Sequence, residues 1–179
     1  YLTTAARIYK YPFQEQLLIY AQRPDATACA SIEVWNSRKL NCWVNKGAKG
    51  IALIDEENSY TRLKYVFDVS DVHKARRIGR DPYLWELKQE QEQSVMKRLE
   101  HIYGETDAEK SFGDRLLEIA ESVTNDCYEE VAEDLLYLTD GSFLDGLDEY
   151  SLKVHLRETL RASISYTLLT RCGLDAEDY

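Results

Sequence analysis

Apolar residues recur at helical spacing near the start of the chain, in two small clusters separated by a proline. The clusters are Ala5, Ile8 and Tyr9, followed by Leu17, Leu18 and Ala21. Proline is tolerated in the first turn of a helix but disrupts a helix interior. Because Pro12 lies between the clusters, the pattern predicts helical structure over residues 2–22, either as one kinked helix or as two helices meeting near Tyr11. Arg23 and Pro24 end this region.

β-Branched and aromatic residues dominate the next part of the chain, where turn residues divide them into short runs. A short helix over residues 31–36, with Ser31 as its cap, precedes these runs. The runs are 41–45, 50–54 and 63–69. They predict a small antiparallel sheet, in which residues 46–50 form the first hairpin connection and residues 56–59 the second.

The remainder of the chain has helical periodicity. Asp81 followed by Pro82 is a strong helix start, since an acceptor cap precedes a proline at the first helical position. The predicted helices cover 89–103, ending at Gly104, then 111–124, 128–138 and 151–172, the last ending at Gly173. The last helix carries apolar residues at four-residue spacing, namely Leu152, Leu156, Leu160, Ile164 and Leu168.

These elements predict an α+β fold with two parts. Residues 1–80 form an α+β unit in which N-terminal helices accompany a small antiparallel sheet. Residues 81–179 form an acidic, bundle-like helical unit. Because the first unit is small, the two could share one core.

Charge is distributed unevenly between these two parts. The chain has a net charge of −10, but residues 1–80 carry 13 Lys and Arg against 8 Asp and Glu, whereas residues 81–179 carry 9 against 24. A mildly basic half could contact phosphate while the acidic half remains in solvent. Alternatively, the acidic helices only keep the protein soluble.

Composition narrows the class of protein further. With 44% apolar and 30% charged residues, the chain is typical of a soluble globular protein, and it has no apolar run long enough to cross a membrane. We expect a cytoplasmic protein whose four cysteines are reduced, mostly buried thiols, because none forms a C-x-x-C pair. Tyr1 opens the chain and Met96 is its only methionine, which indicates a segment of a longer protein.

Aromatic and basic residues are interleaved in the first unit, as in surfaces that bind single-stranded nucleic acid. The lysines at 46 and 49 alternate with glycine, which lets the backbone approach an anion closely. The candidate nucleic-acid-binding residues are Trp35, Arg38, Lys39, Trp43, Lys46, Lys49, Tyr60, Arg62, Lys64, Arg76 and Arg77. Each has a structural alternative: the indoles could be core residues, and the lysines could only protect a hairpin from sheet association.

Catalytic and metal-binding motifs do not emerge from the sequence. Asp68, Asp71 and His73 come closest to a metal site, but their spacing fits no recognised one, and local capping explains the carboxylates equally well. We therefore expect no metal and no cofactor. Since no serine or cysteine nucleophile lies in a motif context, we also expect no enzymatic activity.

A family resemblance adds to this interpretation. The chain resembles the N-terminal single-stranded-DNA-binding domain of antirestriction proteins of the ArdC type. The matching residues are Tyr11, Phe13, Leu17, Leu18, Ile19, Gln22, Pro24, Ala26, Thr27, Trp35, Val44, Lys46, Gly47, Lys49, Gly50 and Ile51. The chain departs from the family at Gln14 and Glu15, where asparagine usually follows the Phe, and residues 81–179 have no counterpart in that domain.

The full length is similar to the N-terminal region of large conjugative-transposon proteins that combine a DNA-methyltransferase-like region with a helicase-like region. This resemblance implies a non-catalytic module that binds single-stranded DNA, with little sequence preference, inside a larger mobile-element protein. Its partners would be that DNA and the downstream domains of the parent protein. The alternative is a protein-interaction module, in which the acidic helices bind the parent's catalytic regions or imitate DNA toward a host restriction enzyme.

Overall fold

The computed structural model describes residues 1–55, 62–75 and 86–179 of the chain. It divides into two compact units, Tyr1–Trp85 and Glu86–Tyr179, here called the first and second unit. Helices and a small amount of antiparallel sheet make up the described residues, which confirms the predicted α+β class. Among these residues, the structure contains no helix of the length and apolarity needed to cross a membrane.

The described residues of the first unit form three short helices and five strands. The helices are α1 (Leu2–Arg7), α2 (Phe13–Gln22) and α3 (Ile32–Trp35). The strands are β1 (Cys29–Ala30), β2 (Cys42–Val44), β3 (Ile51–Asp55), β4 (Arg62–Asp68) and β5 (Val72–Lys74). A single 3-10 turn, Val69–Asp71, separates the last two strands.

Pro12 divides the first helical region into two helices, as the second of the two sequence alternatives predicted. It is the cap residue of α2, with extended backbone angles (φ −57°, ψ 156°), so its missing N–H costs no helical hydrogen bond. The short helix α3 begins as predicted, with the Ser31 hydroxyl accepting a hydrogen bond from the Val34 N–H.

The predicted antiparallel strands are present, and within the described residues they are arranged in two groups. One sheet has the order β1-β4-β3, and the other is the two-stranded ribbon β2-β5. Because β2 pairs with β5 and β3 pairs with β4, residues 46–50 connect two different sheets and are not a hairpin loop. The second predicted hairpin connection, residues 56–59, lies outside the described residues.

The core of the first unit lies between its helices and the face of β3 and β4 that carries Ile51, Leu53 and Val66. The buried residues of this cluster are Ile8, Ile19, Ala26, Ile51, Leu53 and Val66. Alternation along β3 and β4 places the side chains of Ile51, Leu53 and Val66 on one face of the sheet. The other face of β3 and β4 is partly exposed.

The second unit consists of three longer helices and a terminal 3-10 turn. They are α4 (Gln89–Tyr103), α5 (Phe112–Leu138), α6 (Glu149–Arg171) and the turn Ala176–Asp178. Local signals fixed several ends as predicted: α4 stops at Gly104, Ser111 caps α5 through the Asp114 N–H, and Gly173 adopts φ +76° after α6. The predicted start at Asp81 and Pro82 lies outside the described residues.

Helix α5 is continuous for 27 residues, whereas the sequence predicted two helices separated near Asn125. Asparagine and aspartate have low helix propensity, but no glycine or proline interrupts the segment. Tertiary contacts stabilise the junction: Thr124 is fully buried, and Arg157 of α6 donates a hydrogen bond to the Asn125 side chain. The packing of α5 on α6 therefore outweighs the local preference for a break.

The second unit has its own apolar core. Met96, Leu116, Ile119 and Leu169 are its buried members, contributed by all three helices. Of the predicted apolar stripe on α6, Leu152 is buried and the other four residues are half-buried. A stripe with a strict four-residue period drifts around the helix, because the helical repeat is about 3.6 residues.

Candidate nucleic-acid interface

Asp68 is the hub of the hydrogen bonds that hold the loops of the first unit. Its side chain is only 2% exposed, and it accepts hydrogen bonds from the backbone N–H groups of Thr27, Ala28 and Ser70 and from the Ser70 hydroxyl. Burial alone would raise the pKa of Asp68, but these hydrogen bonds outweigh burial and lower the pKa. Asp68 therefore stays ionised and stabilises the turn at Thr27.

Gln22 and Arg23, at the end of α2, also hold the fold together. The Gln22 side-chain amide both donates to the Ala52 carbonyl and accepts from the Ala52 N–H, each at 2.9 Å. Arg23 donates to Asp71 at 2.7 Å and to the Ser70 hydroxyl at 2.8 Å, and its hydrogen bond to the Asp71 carboxylate raises the pKa of Arg23. Both residues thus act as internal ties within the first unit.

Trp35 is a core residue, which corrects its assignment to base stacking. It is 3% exposed, and its indole N–H donates to the Phe67 carbonyl at 2.9 Å. A ring enclosed on this scale offers no face to a nucleotide. Tyr11 is similarly engaged, since its hydroxyl donates to the Cys29 carbonyl at 2.8 Å and burial raises its pKa.

Trp43, in contrast, is 51% exposed on the β2-β5 ribbon. Its direct cross-strand neighbour is His73, and Asn45 follows two positions along the same face. The His73 ring is fixed by a 2.7 Å hydrogen bond between its Nδ1 atom and the Asn45 side-chain oxygen. The ribbon therefore presents an indole beside an ordered imidazole at the protein surface.

Lys46 and Lys49 follow directly after this ribbon, and both are exposed. The Ala48 N–H donates to the Asn45 carbonyl at 3.0 Å, and Gly47, in the third position of this turn, has φ +88°. That conformation is the one a type II turn requires and L side chains rarely adopt, so it explains the glycine. The turn holds Lys46 at its second position, pointing the chain from β2 toward β3.

A groove of about 450 Å³ lies beside Lys49. It is lined by Gln22, Arg23, Pro24, Asp25, Lys49, Gly50 and Ile51. The charge of Arg23 is offset by Asp71 at 2.7 Å and by Asp25 at 3.6 Å. Lys49 also lines the groove, and within the described residues no ion pair offsets its charge.

Tyr65 is an exposed aromatic residue that the sequence did not select as a site. It is 52% exposed on the outer face of β4, next to Leu63, which is 59% exposed. A Cβ added at Gly50 would lie 3.1 Å from the Tyr65 side chain, so the end of the lysine-bearing connection packs against this ring. The sequence did contain a sign of this surface, because Leu63, Tyr65 and Phe67 alternate along the strand and therefore share one face.

The other predicted site residues are dispersed. Arg38 and Lys39 are exposed after α3, and Arg62 lies directly opposite Asp55 in the β3-β4 pair. Lys64 forms a 2.7 Å ion pair with Glu15 of α2, which offsets its charge. Three predicted residues, Tyr60, Arg76 and Arg77, lie outside the described residues.

The three residues considered for a metal are separately engaged. Asp68 accepts hydrogen bonds from the backbone, Asp71 pairs with Arg23, and His73 bonds to Asn45. In residues 1–55, 62–75 and 86–179, no three His, Cys, Asp or Glu side chains are grouped to hold a metal ion.

The four cysteines are free thiols that differ in burial. Cys42 is buried and the other three are half-buried, so they are less buried than the sequence predicted. Burial, and then the charge of Asp68, raises the pKa of Cys29 to about 12. A thiol with a raised pKa is a poor nucleophile at neutral pH.

Comparisons with known proteins do not place the chain in a family. No protein-family model matches it, and neither a curated protein nor a solved structure does. The resemblance to the antirestriction domain therefore stays a prediction, and a function has to be argued from the surface of the first unit.

Proposed function

We propose that the first unit is a non-catalytic module that binds single-stranded DNA with little sequence preference. The observation that carries this proposal is the half-exposed indole of Trp43 immediately before the exposed Lys46 and Lys49. As the family resemblance implies, the module would serve a larger mobile-element protein that processes DNA.

Aromatic rings at both ends of the lysine-bearing connection support this proposal. Trp43 precedes the connection, and Gly50 at its end packs against Tyr65. Seven residues span at most about 25 Å when fully extended, so the two rings are within reach of one short oligonucleotide. Stacking contributes roughly 1–3 kcal/mol per base, and it tolerates any base because every base has a π-face.

The lysines would supply the electrostatic part of the binding. Ammonium groups attract phosphates and release condensed counterions, so affinity falls with salt by a log–log slope near −0.7 per phosphate contacted on a single strand. Stacking on Trp43 requires a base that is not already paired within a duplex. The surface should therefore prefer single-stranded over double-stranded DNA.

Fluorescence-anisotropy titration of the full chain with labelled single- and double-stranded oligonucleotides tests the proposal. We expect salt-sensitive binding that prefers the single strand. Lys46→Glu/Lys49→Glu should weaken it and make the salt slope shallower by about 1.4, the contribution of two phosphate contacts. The matched control is Lys97→Glu/Arg98→Glu, which makes the same charge change on exposed residues of α4.

The aromatic contribution is tested separately. Trp43→Ala should weaken single-strand binding by about 5- to 150-fold, which corresponds to the stacking energy of one base. Trp43→Phe should recover most of the affinity because it retains a ring. Absence of binding at low salt, or equal losses for the two charge-reversal pairs, would rule out the proposed surface.

A further inference from the structure

Five large apolar side chains are exposed where α5 ends and α6 begins. They are Tyr137 (86% exposed), Leu138 (67%), Phe143 (94%), Leu147 (53%) and Tyr150 (78%). Residues 137–150 are here called the tip of the second unit. Five exposed apolar side chains within fourteen residues are unusual in a soluble protein and indicate an interaction site, whereas single exposed residues need no explanation.

The backbone of the tip is folded into successive turns. The Ser142 N–H donates to the Thr139 carbonyl at 3.0 Å, the Asp145 N–H to the Ser142 carbonyl at 3.1 Å, and the Leu147 N–H to the Leu144 carbonyl at 3.2 Å. The Asp148 carboxylate then caps α6 by accepting from the Ser151 N–H at 2.9 Å. The exposed rings are therefore displayed on an ordered support.

Charge along the chain at the tip is predominantly negative, although Lys153 of α6 offsets one carboxylate, since its ammonium lies 2.6 Å from Glu149. From Leu116 to Leu152 the chain contains eleven Asp and Glu and no Lys, Arg or His. The acidic residues nearest the exposed rings are themselves exposed, namely Glu129, Glu130, Glu133, Asp134, Asp140, Asp145, Asp148 and Glu149. Such a surface repels nucleic acid and anionic lipid, and it attracts a cationic partner.

A second copy of the tip does not complement this surface. A symmetric contact between two tips would place like charges opposite one another, which costs energy. The complementary surface has apolar side chains in its centre and basic residues around them. An amphipathic helix rich in lysine or arginine has this arrangement, because its apolar stripe is flanked by charged positions.

We propose that the tip is a docking site for a basic amphipathic helix of a partner protein. Phe143, Tyr137 and Tyr150 are the apolar anchors, and the surrounding carboxylates pair with the flanking lysines or arginines of that helix. All of these residues belong to the second unit, whereas the proposed DNA-binding residues belong to the first, so the two proposals are tested independently.

The experiment measures binding of a labelled synthetic peptide to the full chain by fluorescence anisotropy. The probe is a leucine–lysine peptide of about 14 residues, or about four helical turns, with its leucines on one helical face. The reference probes are a peptide of the same composition in scrambled order and an oligolysine of equal charge. We expect the amphipathic peptide to bind more tightly than either reference.

The decisive variant is Tyr137→Ser/Phe143→Ser/Tyr150→Ser, whose changed side chains are all at least 78% exposed. It should keep the circular dichroism of the parent and bind the amphipathic peptide at least about 10-fold more weakly, the loss typical of removing interface anchors. The control Tyr9→Ser/Phe13→Ser/Ile102→Ser removes exposed apolar groups elsewhere, each at least half exposed, and should bind like the parent.

Several results would overturn the proposal. These are no binding of the amphipathic peptide, equal binding of the scrambled peptide or the oligolysine, or unchanged affinity in the tip variant. Light scattering after size exclusion gives one more: a dimer of the parent that becomes a monomer in the tip variant would identify a second copy as the occupant.

Discussion

Two neighbouring segments of the first unit use similar residues for opposite purposes. In the motif segment, residues 11–35, the side chains of Tyr11, Gln22 and Trp35 are each engaged within the protein, since each bonds to the backbone of another element. The lysine segment, residues 43–49, leaves Trp43 and its two lysines in solvent. The difference teaches that one part of a distinctive sequence motif can specify how a domain folds, while the part that follows it leaves its side chains available at the surface.

The largest difference in stability is expected between variants of the two tryptophans, Trp35 and Trp43. Trp35→Ala should lower the free energy of unfolding of the first unit by about 3–5 kcal/mol, because it leaves a cavity in the core. Trp43→Ala should change it by no more than about 0.5 kcal/mol, because its ring is half exposed. Tryptophan fluorescence during urea unfolding monitors the first unit through Trp35 and Trp43. Equal destabilisation by the two changes would break the contrast.

Asp68 should show the next largest effect. Asp68→Ala leaves three backbone N–H groups without their acceptor, and we expect a loss of about 3 kcal/mol in the free energy of unfolding. Asp25→Ala is the control, because its carboxylate is 84% exposed and meets Arg23 only at 3.6 Å. The same unfolding measurement compares them, and similar losses for both would remove Asp68 from its central role.

Gln22 should contribute less, because its two bonds to Ala52 lie at an exposed position. Gln22→Ala is expected to cost about 1–2 kcal/mol of unfolding free energy, the sum of two ordinary hydrogen bonds. Gln14→Ala, in the same helix and also exposed, should cost no more than about 0.5 kcal/mol. Indistinguishable variants would mean that the motif segment depends on its apolar residues alone.

The second unit supplies the smallest effect and a reference outside both segments. Glu100 accepts hydrogen bonds from the Thr106 hydroxyl and from Arg115, and these lower its pKa to about 2. The unfolded chain therefore binds this proton more tightly than the folded protein. The ionised Glu100 carboxylate therefore contributes its full stabilisation of the folded protein above about pH 5, and this contribution is lost as the pH falls towards about 2.

Glu100→Gln should accordingly lower the melting temperature at pH 7. Between about pH 5 and pH 2, the melting temperature of this variant should fall less steeply with pH than that of the parent. The far-ultraviolet circular dichroism of the helices measures this transition. The control is Glu105→Gln, which changes an exposed residue between α4 and α5. It should give the same dependence of melting temperature on pH as the parent protein. Parallel profiles for parent and Glu100→Gln would show that this cluster does not link stability to pH.

Local signals explain which parts of the fold could be predicted. Gly104, Ser111 and Gly173 mark helix ends through their own backbone preferences or side chains, so the sequence around them was sufficient. The continuity of α5 past Asn125 depends on Arg157, 32 residues later, and no local pattern contains that contact.

The candidate site was predicted in composition but not in arrangement. Lys46, Lys49 and Trp43 are exposed, whereas the sequence left open whether the two indoles lie at the surface or in the core. Burial of Trp35 depends on its bond to Phe67, and the pairing of β2 with β5 depends on residues about thirty positions apart. Local alternation is compatible with several strand partners, so the pattern alone could not choose among them.

The bonds from Gln22 to Ala52 also affect how the protein meets other chains. Strand β3 is the last strand of its sheet, and such an edge offers unpaired N–H and C=O groups to any extended segment that approaches. At Ala52 both groups are occupied by a side-chain amide that imitates a neighbouring peptide unit. Gln22, the last residue of α2, therefore also prevents another strand from pairing with β3 at this position, and so opposes aggregation through this edge.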